Sequence, residues 1–96
     1  MNERARNALI SASMAGVKQI KGSLRDTEGG MCALGVMREA AGVNFSIILN
    51  WNEYCYLLKW AEMDGEEFDL IAEANDILEW DFLTIARKIG VKEEGN

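Results

Sequence analysis

Cys32 lies within "KGSLRDTEGGMCALGVM", residues 21–37, just after the Gly29–Gly30 pair and ahead of an apolar run. Four readings fit that placement: a reactive thiol, a metal ligand, a phosphate cradle, or plain packing. The thiol stands at the first turn of an expected helix, where the peptide dipoles lower a cysteine pKa. Reactivity also asks for a base, and the chain contains no histidine. That absence removes Ser-His and Cys-His nucleophile pairs and any His-containing zinc site. Two cysteines cannot close a structural zinc tetrahedron. A phosphate cradle needs backbone N–H groups converging at a helix start, which Gly29 and Gly30 would permit. The Walker pattern and G-x-G-x-x-G are both absent, however. The plainer alternative makes Cys32 a small buried hydrophobe.

Asn75-Asp76 is the second constellation. Asn75 continues an apolar stripe of Phe68, Ile71 and Ala72, which aims its amide inward at a helix end. A buried amide needs partners, and the loop backbone around 77–81 offers them, so the pair reads as a polar staple. The functional alternative is a small-ligand or nucleotide pocket between the Gly-rich turn and Asn75-Asp76, lined by Gln19, Lys21, Cys32, Asn75 and Asp76.

Charge supplies the third. The net charge is −6, and residues 62–81 carry nine carboxylates with no lysine or arginine. Such a surface repels phosphate backbones, which argues against direct nucleic-acid binding, and it suits a basic protein surface. Glu66, Glu67, Asp69, Glu73, Glu79 and Asp81 are the expected partner-binding residues. The competing reading is a solvated helix face that keeps a small protein apart from its neighbours. The last two helices suggest a helix-turn-helix, but its basic footprint is missing. Asp64-Gly65-Glu66-Glu67-Asp69 lacks the EF-hand spacing, and no cofactor motif is present.

The elements that must position these groups follow from apolar spacing. Ninety-six residues support one core, the chain has no proline, and glycine turns punctuate it. A first helix is expected over 3–16 with Ala5, Ala8, Leu9 and Ala12 inward. Residues 17–24 read as an extended segment and 26–30 as a turn. A second helix covers 31–42, presenting Ala33, Leu34, Met37 and Ala41. Gly35 in its middle costs about 1 kcal/mol against alanine, which implies a close approach by 17–24 or by the last helix. "VNFSIIL" reads as a strand over 44–49 pairing with 17–24. A third helix over 52–63 turns Tyr54, Leu57, Leu58 and Ala61 inward. Asp64 and Glu67 form a capping box opening a fourth helix over 65–76. Asp81 caps a fifth with Phe82, Ile85, Ala86 and Ile89 inward and Gly90 closing it. Residues 91–96 read as a frayed tail. The fold class is α+β, mainly α: a single-domain bundle of four to five short helices with a small two-stranded β element.

In order, the pieces "KQIKGSLR", "MCALGVM", "AND" and "DFLTIARKI" resemble a family of small uncharacterised bacteriophage proteins. Its pattern is a K-Q-x-K/R-G-x-L-R segment, a C-x-L-G-V-L helix and a final N-D…F-x-x-I-A-x-x-I helix pair. Lys18, Gln19, Lys21, Gly22, Leu24 and Arg25 match the first; Cys32, Leu34, Gly35 and Val36 the second; Asn75, Asp76, Phe82, Ile85, Ala86 and Ile89 the third. The match spans most of 5–90 but not 43–53. This chain has Met31 and Ala33 where the family often adds a second cysteine. It has Leu78, Trp80 and Asp81 where the family tends to place Gly and Ser/Thr. The resemblance implies a viral origin and an α-rich fold, and carries over no catalytic residue.

The expectation is a non-enzymatic accessory protein in the host cytoplasm, binding a host protein with a basic surface and blocking, for example, a defence system. No apolar run reaches the roughly 18 residues that span a bilayer, so no membrane is expected. The aromatics Trp51, Tyr54, Tyr56 and Trp60 leave a homo-oligomer open.

Overall fold

The computed structural model describes residues 1–42 and 50–89. Five helices follow in order: α1 Glu3–Met14, α2 Ala33–Ala40, α3 Trp51–Ala61, α4 Gly65–Asp76 and α5 Phe82–Lys88. Each starts behind a side chain that accepts an otherwise unpaired N–H of the first turn. Asn2 receives Ala5 N, Cys32 Sγ receives Gly35 N, Asn50 receives Glu53 N, Asp64 receives Glu67 N and Asp81 receives Thr84 N. Asn50 and Glu53 complete a reciprocal capping box. At the other end, α3 stops at Glu62, whose φ of 52° is left-handed.

The core gathers one stripe from each helix. Ala5, Leu9 and Ala12 are the buried residues of α1 and Phe82, Ile85 and Ala86 those of α5, and α1 packs against both α5 and α2. In α2 every residue from Ala33 to Arg38 is buried. Leu57 and Ala61 of α3 and Ile71 and Ala74 of α4 complete the interior. Leu9, Met37, Leu57, Ile71 and Ile85 are fully buried, each worth about 2 kcal/mol by area removed from water. The radius of gyration is 12.2 Å, near the roughly 12.5 Å of a closely packed chain of this length.

Residues 17–31 cross the helices as an irregular strap, and here the structure corrects the expected β element. Among the described residues there is no β-strand. Residues 17–24 make one isolated bridge, Gln19 with Met31, and the next residue, Arg25, makes another with Met31. The reason lies in where the backbone groups go. Ile20 N donates to Met31 O at 3.1 Å, but Ile20 O accepts from the Asn75 side chain at 2.8 Å. Gly22 N donates to Asp76 Oδ1, and Leu24 O accepts from Cys32 N. With these groups turned toward side chains, a helix start and the strap's own Met31, residues 17–24 form no ladder among the described residues. The second expected strand, 44–49, and the tail, 91–96, lie outside the described residues.

Gly35 shows why the strap lies where it does. A Cβ built on it would stand 2.8 Å from the carbonyl carbon of Leu24 and closer still to its oxygen. The expected close approach is therefore made by residue 24 of the strap.

Candidate functional site

The five residues expected to line a pocket divide into a buried network and its rim. Asn75, only 2 % exposed, is the hub. Its Oδ1 accepts from Gln19 Nε2 at 2.7 Å and from Ala33 N at 3.0 Å. Its Nδ2 donates to Ile20 O and to Asp76 Oδ1, both at 2.8 Å. An amide has two donors and two acceptor sites, so all four are occupied by the protein itself. Gln19 Nε2 also reaches Trp80 O at 2.8 Å, which ties in the turn between α4 and α5. The network thus joins strap, α2, α4 and that turn. The inward amide of the sequence reading is present, but its partners are Gln19, Ile20, Ala33 and Asp76 rather than the 77–81 loop backbone, which it reaches only through Gln19.

Cys32 and Lys21 stand apart from the hydrogen bonds of that hub. Cys32 is buried, and burial pushes its thiol pKa up, with the Asp76 carboxylate adding in the same direction. That opposes the lowering a helix start would give. Its Sγ accepts from Gly35 N at 3.4 Å and acts as the N-cap. Lys21 points outward to Glu79, with Nζ 2.8 Å from the carboxylate in an exposed pair.

The expected acidic face divides as well. Glu66, Asp69 and Glu73 are exposed along one side of α4. Glu67 turns inward, and one carboxylate oxygen pairs with the α-amino group of Met1. The capping box at Asp64 is therefore half made: Asp64 receives Glu67 N, while the Glu67 side chain is engaged elsewhere. Glu79, in a left-handed conformation with φ 57°, is drawn to Lys21, whose hydrogen bond and charge hold its carboxyl pKa down. Asp81 caps α5, and the Thr84 hydroxyl and N–H depress its pKa. Of six residues, three share one outward face and three serve structural contacts.

Several interactions escape the sequence reading. Arg38 and Glu53 form a buried pair between α2 and α3, with Nη1 and Oε1 3.9 Å apart. Nothing in spacing links residues fifteen apart on different helices, although Asn50-x-x-Glu53 is a legible capping pattern. Leu70, beside the carboxylates of α4, and Ile77, its C-cap residue, are exposed. Their signal was present: both fall off the Phe68–Ile71 stripe. Of the aromatics, Trp51 and Tyr54 lie in ring contact at 5.5 Å. Trp51 and Tyr56 are exposed, Tyr54 packs edge-on against Phe68 at 4.9 Å, and Trp60 lies under the Arg4 guanidinium.

Among the described residues, three clefts open on the surface, one of them of about 310 Å³ beside Thr84, Arg87 and Lys88 of α5. A second of about 310 Å³ lies between α1 and α2, lined by Ala8, Ala12, Val17, Met31, Val36 and Glu39 among others. The third, of about 440 Å³, lies at the start of α4, lined by Asp64, Glu66, Glu67 and Leu70. Among the described residues no group of three or more Cys, Asp or Glu is placed to hold a metal ion, and no helix is long and apolar enough to cross a membrane. Comparison with known proteins finds no match, whether to a family model, a curated protein or a solved structure.

Proposed function

We propose that this is a non-enzymatic accessory protein of bacteriophage type that binds a basic surface on a host protein through the outward side of α4, an inhibitor of host defence being one such role. The observation that carries the reading is the alignment of Glu66, Asp69 and Glu73 on one exposed helix face, within a stretch from 62 to 81 that has no lysine or arginine. Carboxylates fixed on a rigid helix present a patterned negative potential that steers basic partners and sets register more than it adds affinity. The bacteriophage part of the reading rests on the motif resemblance alone.

The pocket alternative draws less support. The Asn75 amide has no donor or acceptor left for a ligand, and Lys21 is engaged with Glu79.

The test is affinity capture from bacterial host lysate with the wild-type chain and with Glu66→Lys/Asp69→Lys/Glu73→Lys. The expected outcome is a basic protein retained by the wild type, released by salt and lost from the triple variant. Equal retention by both would overturn the reading. Thermal shifts against nucleotides and metabolites test the alternative, since a ligand at 100 times its dissociation constant adds about 2.7 kcal/mol.

A further inference from the structure

Successive residues of an α-helix turn by roughly 100°, so Glu66, Asp69, Leu70, Glu73 and Ile77 all project within an arc of about 100°. Ile71, Ala74 and Asn75, which occupy the adjoining arc of about 100°, are buried. Leu70 is 46 % exposed, Ile77 70 %, and the adjoining Leu78 48 %. The outward side of α4 is therefore two-toned: two aliphatic side chains two turns apart, about 10.5 Å along the axis, beside three carboxylates.

We propose that this face receives a basic amphipathic helix of the partner protein, its apolar residues seated on Leu70 and Ile77 and its lysines or arginines against Glu66, Asp69 and Glu73. The proposal rests on the acidic-surface reading and specifies what the partner presents there. Charge decides between occupants. An extended lysine-rich tail would neutralise the carboxylates but leave both aliphatic side chains in water. A wholly apolar helix would take three carboxylates out of water with no cation to replace it, which costs more than the burial returns. Nucleic acid and anionic lipid are repelled by the nine carboxylates of 62–81. A helix with apolar residues at i and i+7 and cations flanking them satisfies both halves of the face. The neighbouring cleft lined by Asp64, Glu66, Glu67 and Leu70 gives a long basic side chain from the partner a place to lie. One face of a twelve-residue helix buries less than about 1,200 Å² with its partner, the range of transient complexes.

The experiment titrates the full chain with two labelled 18-residue helical peptides, read by fluorescence anisotropy. One has leucines at i and i+7 flanked by lysines; the other keeps the lysines and replaces the leucines with serines. The leucine peptide is expected to bind the wild type about tenfold tighter than the serine peptide. Leu70→Ser/Ile77→Ser should erase that difference and leave serine-peptide binding unchanged. Glu66→Lys/Asp69→Lys/Glu73→Lys should weaken both peptides at least about tenfold. All five side chains are exposed, and unchanged melting curves check that the variants fold. Equal binding of the two peptides by the wild type, or a tenfold preference that survives in the serine variant, overturns the amphipathic partner while the acidic reading stands. Wild-type binding of both peptides by the triple variant overturns the acidic reading with it. Sedimentation of the free protein as a dimer that Leu70→Ser/Ile77→Ser dissociates would overturn the partner in favour of a second copy of this chain.

Discussion

Helix α4 faces two environments, and its polar residues mean different things in each. Inward, Asn75 spends its whole amide on Gln19, Ile20, Ala33 and Asp76. Outward, Glu66, Asp69 and Glu73 meet water. A buried amide is tolerated only when every site is paired, so its partners are fixed and its loss leaves orphaned groups behind. An exposed carboxylate is screened and solvated, so changing it moves stability little and leaves it available to a partner. Both sets lie within one twelve-residue helix, which shows that residue type alone does not assign a role.

The largest effect should come from the strap that the inner side holds. Gly35→Ala drives a Cβ into the Leu24 carbonyl and cannot be relieved by moving a side chain. The expected loss exceeds about 4 kcal/mol, seen as an absent or much lower thermal transition by circular dichroism. A variant that melts like the wild type would show that the strap does not sit against α2. Next, Asn75→Ala strips partners from the buried Ala33 N–H and from Ile20 O and should cost about 3 kcal/mol in denaturant titration, against about 1 kcal/mol for Gln19→Ala. The double variant should cost less than the sum, because the two share a bond.

A smaller effect is expected at Asp81, the cap of α5. Asp81→Ala should cost about 1 kcal/mol near neutral pH. Its carboxyl pKa is lowered in the folded state, so its contribution is present above the ordinary carboxylate range and lost as pH falls through the lowered value. The variant should therefore lose less stability than the wild type between about pH 4 and pH 2. The smallest stability effect belongs to the outer side: Glu66→Lys/Asp69→Lys/Glu73→Lys should stay within about 0.5 kcal/mol of the wild type. A large destabilisation there would erase the contrast between the two sides. Thiol labelling sharpens it without mutation. Cys55 is exposed and Cys32 buried with a raised pKa, so the native chain should react at Cys55 alone and the denatured chain at both.

What the sequence made legible was local. α4 appears over the expected residues 65–76, and α5 starts behind Asp81 as its N-cap position implies. Both depend on caps and three-four spacing, which a short window contains. Cys32 shifted by one step, from the first turn to the cap, because Sγ accepts from Gly35 N much as a hydroxyl would. The strap was misread as a strand because its alternating pattern is real while its partners are not strands. They are single residues at the start of α2 and side chains from a helix more than fifty residues away. Glu67 was misread for the same reason: its spacing from Asp64 fits a capping box, and only the tertiary arrangement brings the Met1 amine to compete for it. Gly35 was the useful exception, since a glycine inside a helix advertises a close neighbour before that neighbour is known.

The strap's dependence on Asn75 also sets an order of events during synthesis. The bonds from Gln19, Ala33 and Ile20 to Asn75 span 56, 42 and 55 residues. A ribosome must release nearly four-fifths of the chain before the strap meets the group that fastens it. Until then only local bonds such as Cys32 N to Leu24 O hold the strap against Gly35, and α1 lacks the helix α5 that covers it. Closing loops of that length is slow beside forming a helix turn, so the N-terminal half emerges as helical segments awaiting their clasp. A chain truncated before residue 75 would keep the sequence of α1 and α2 but lose the amide that joins the strap and α2 to α4.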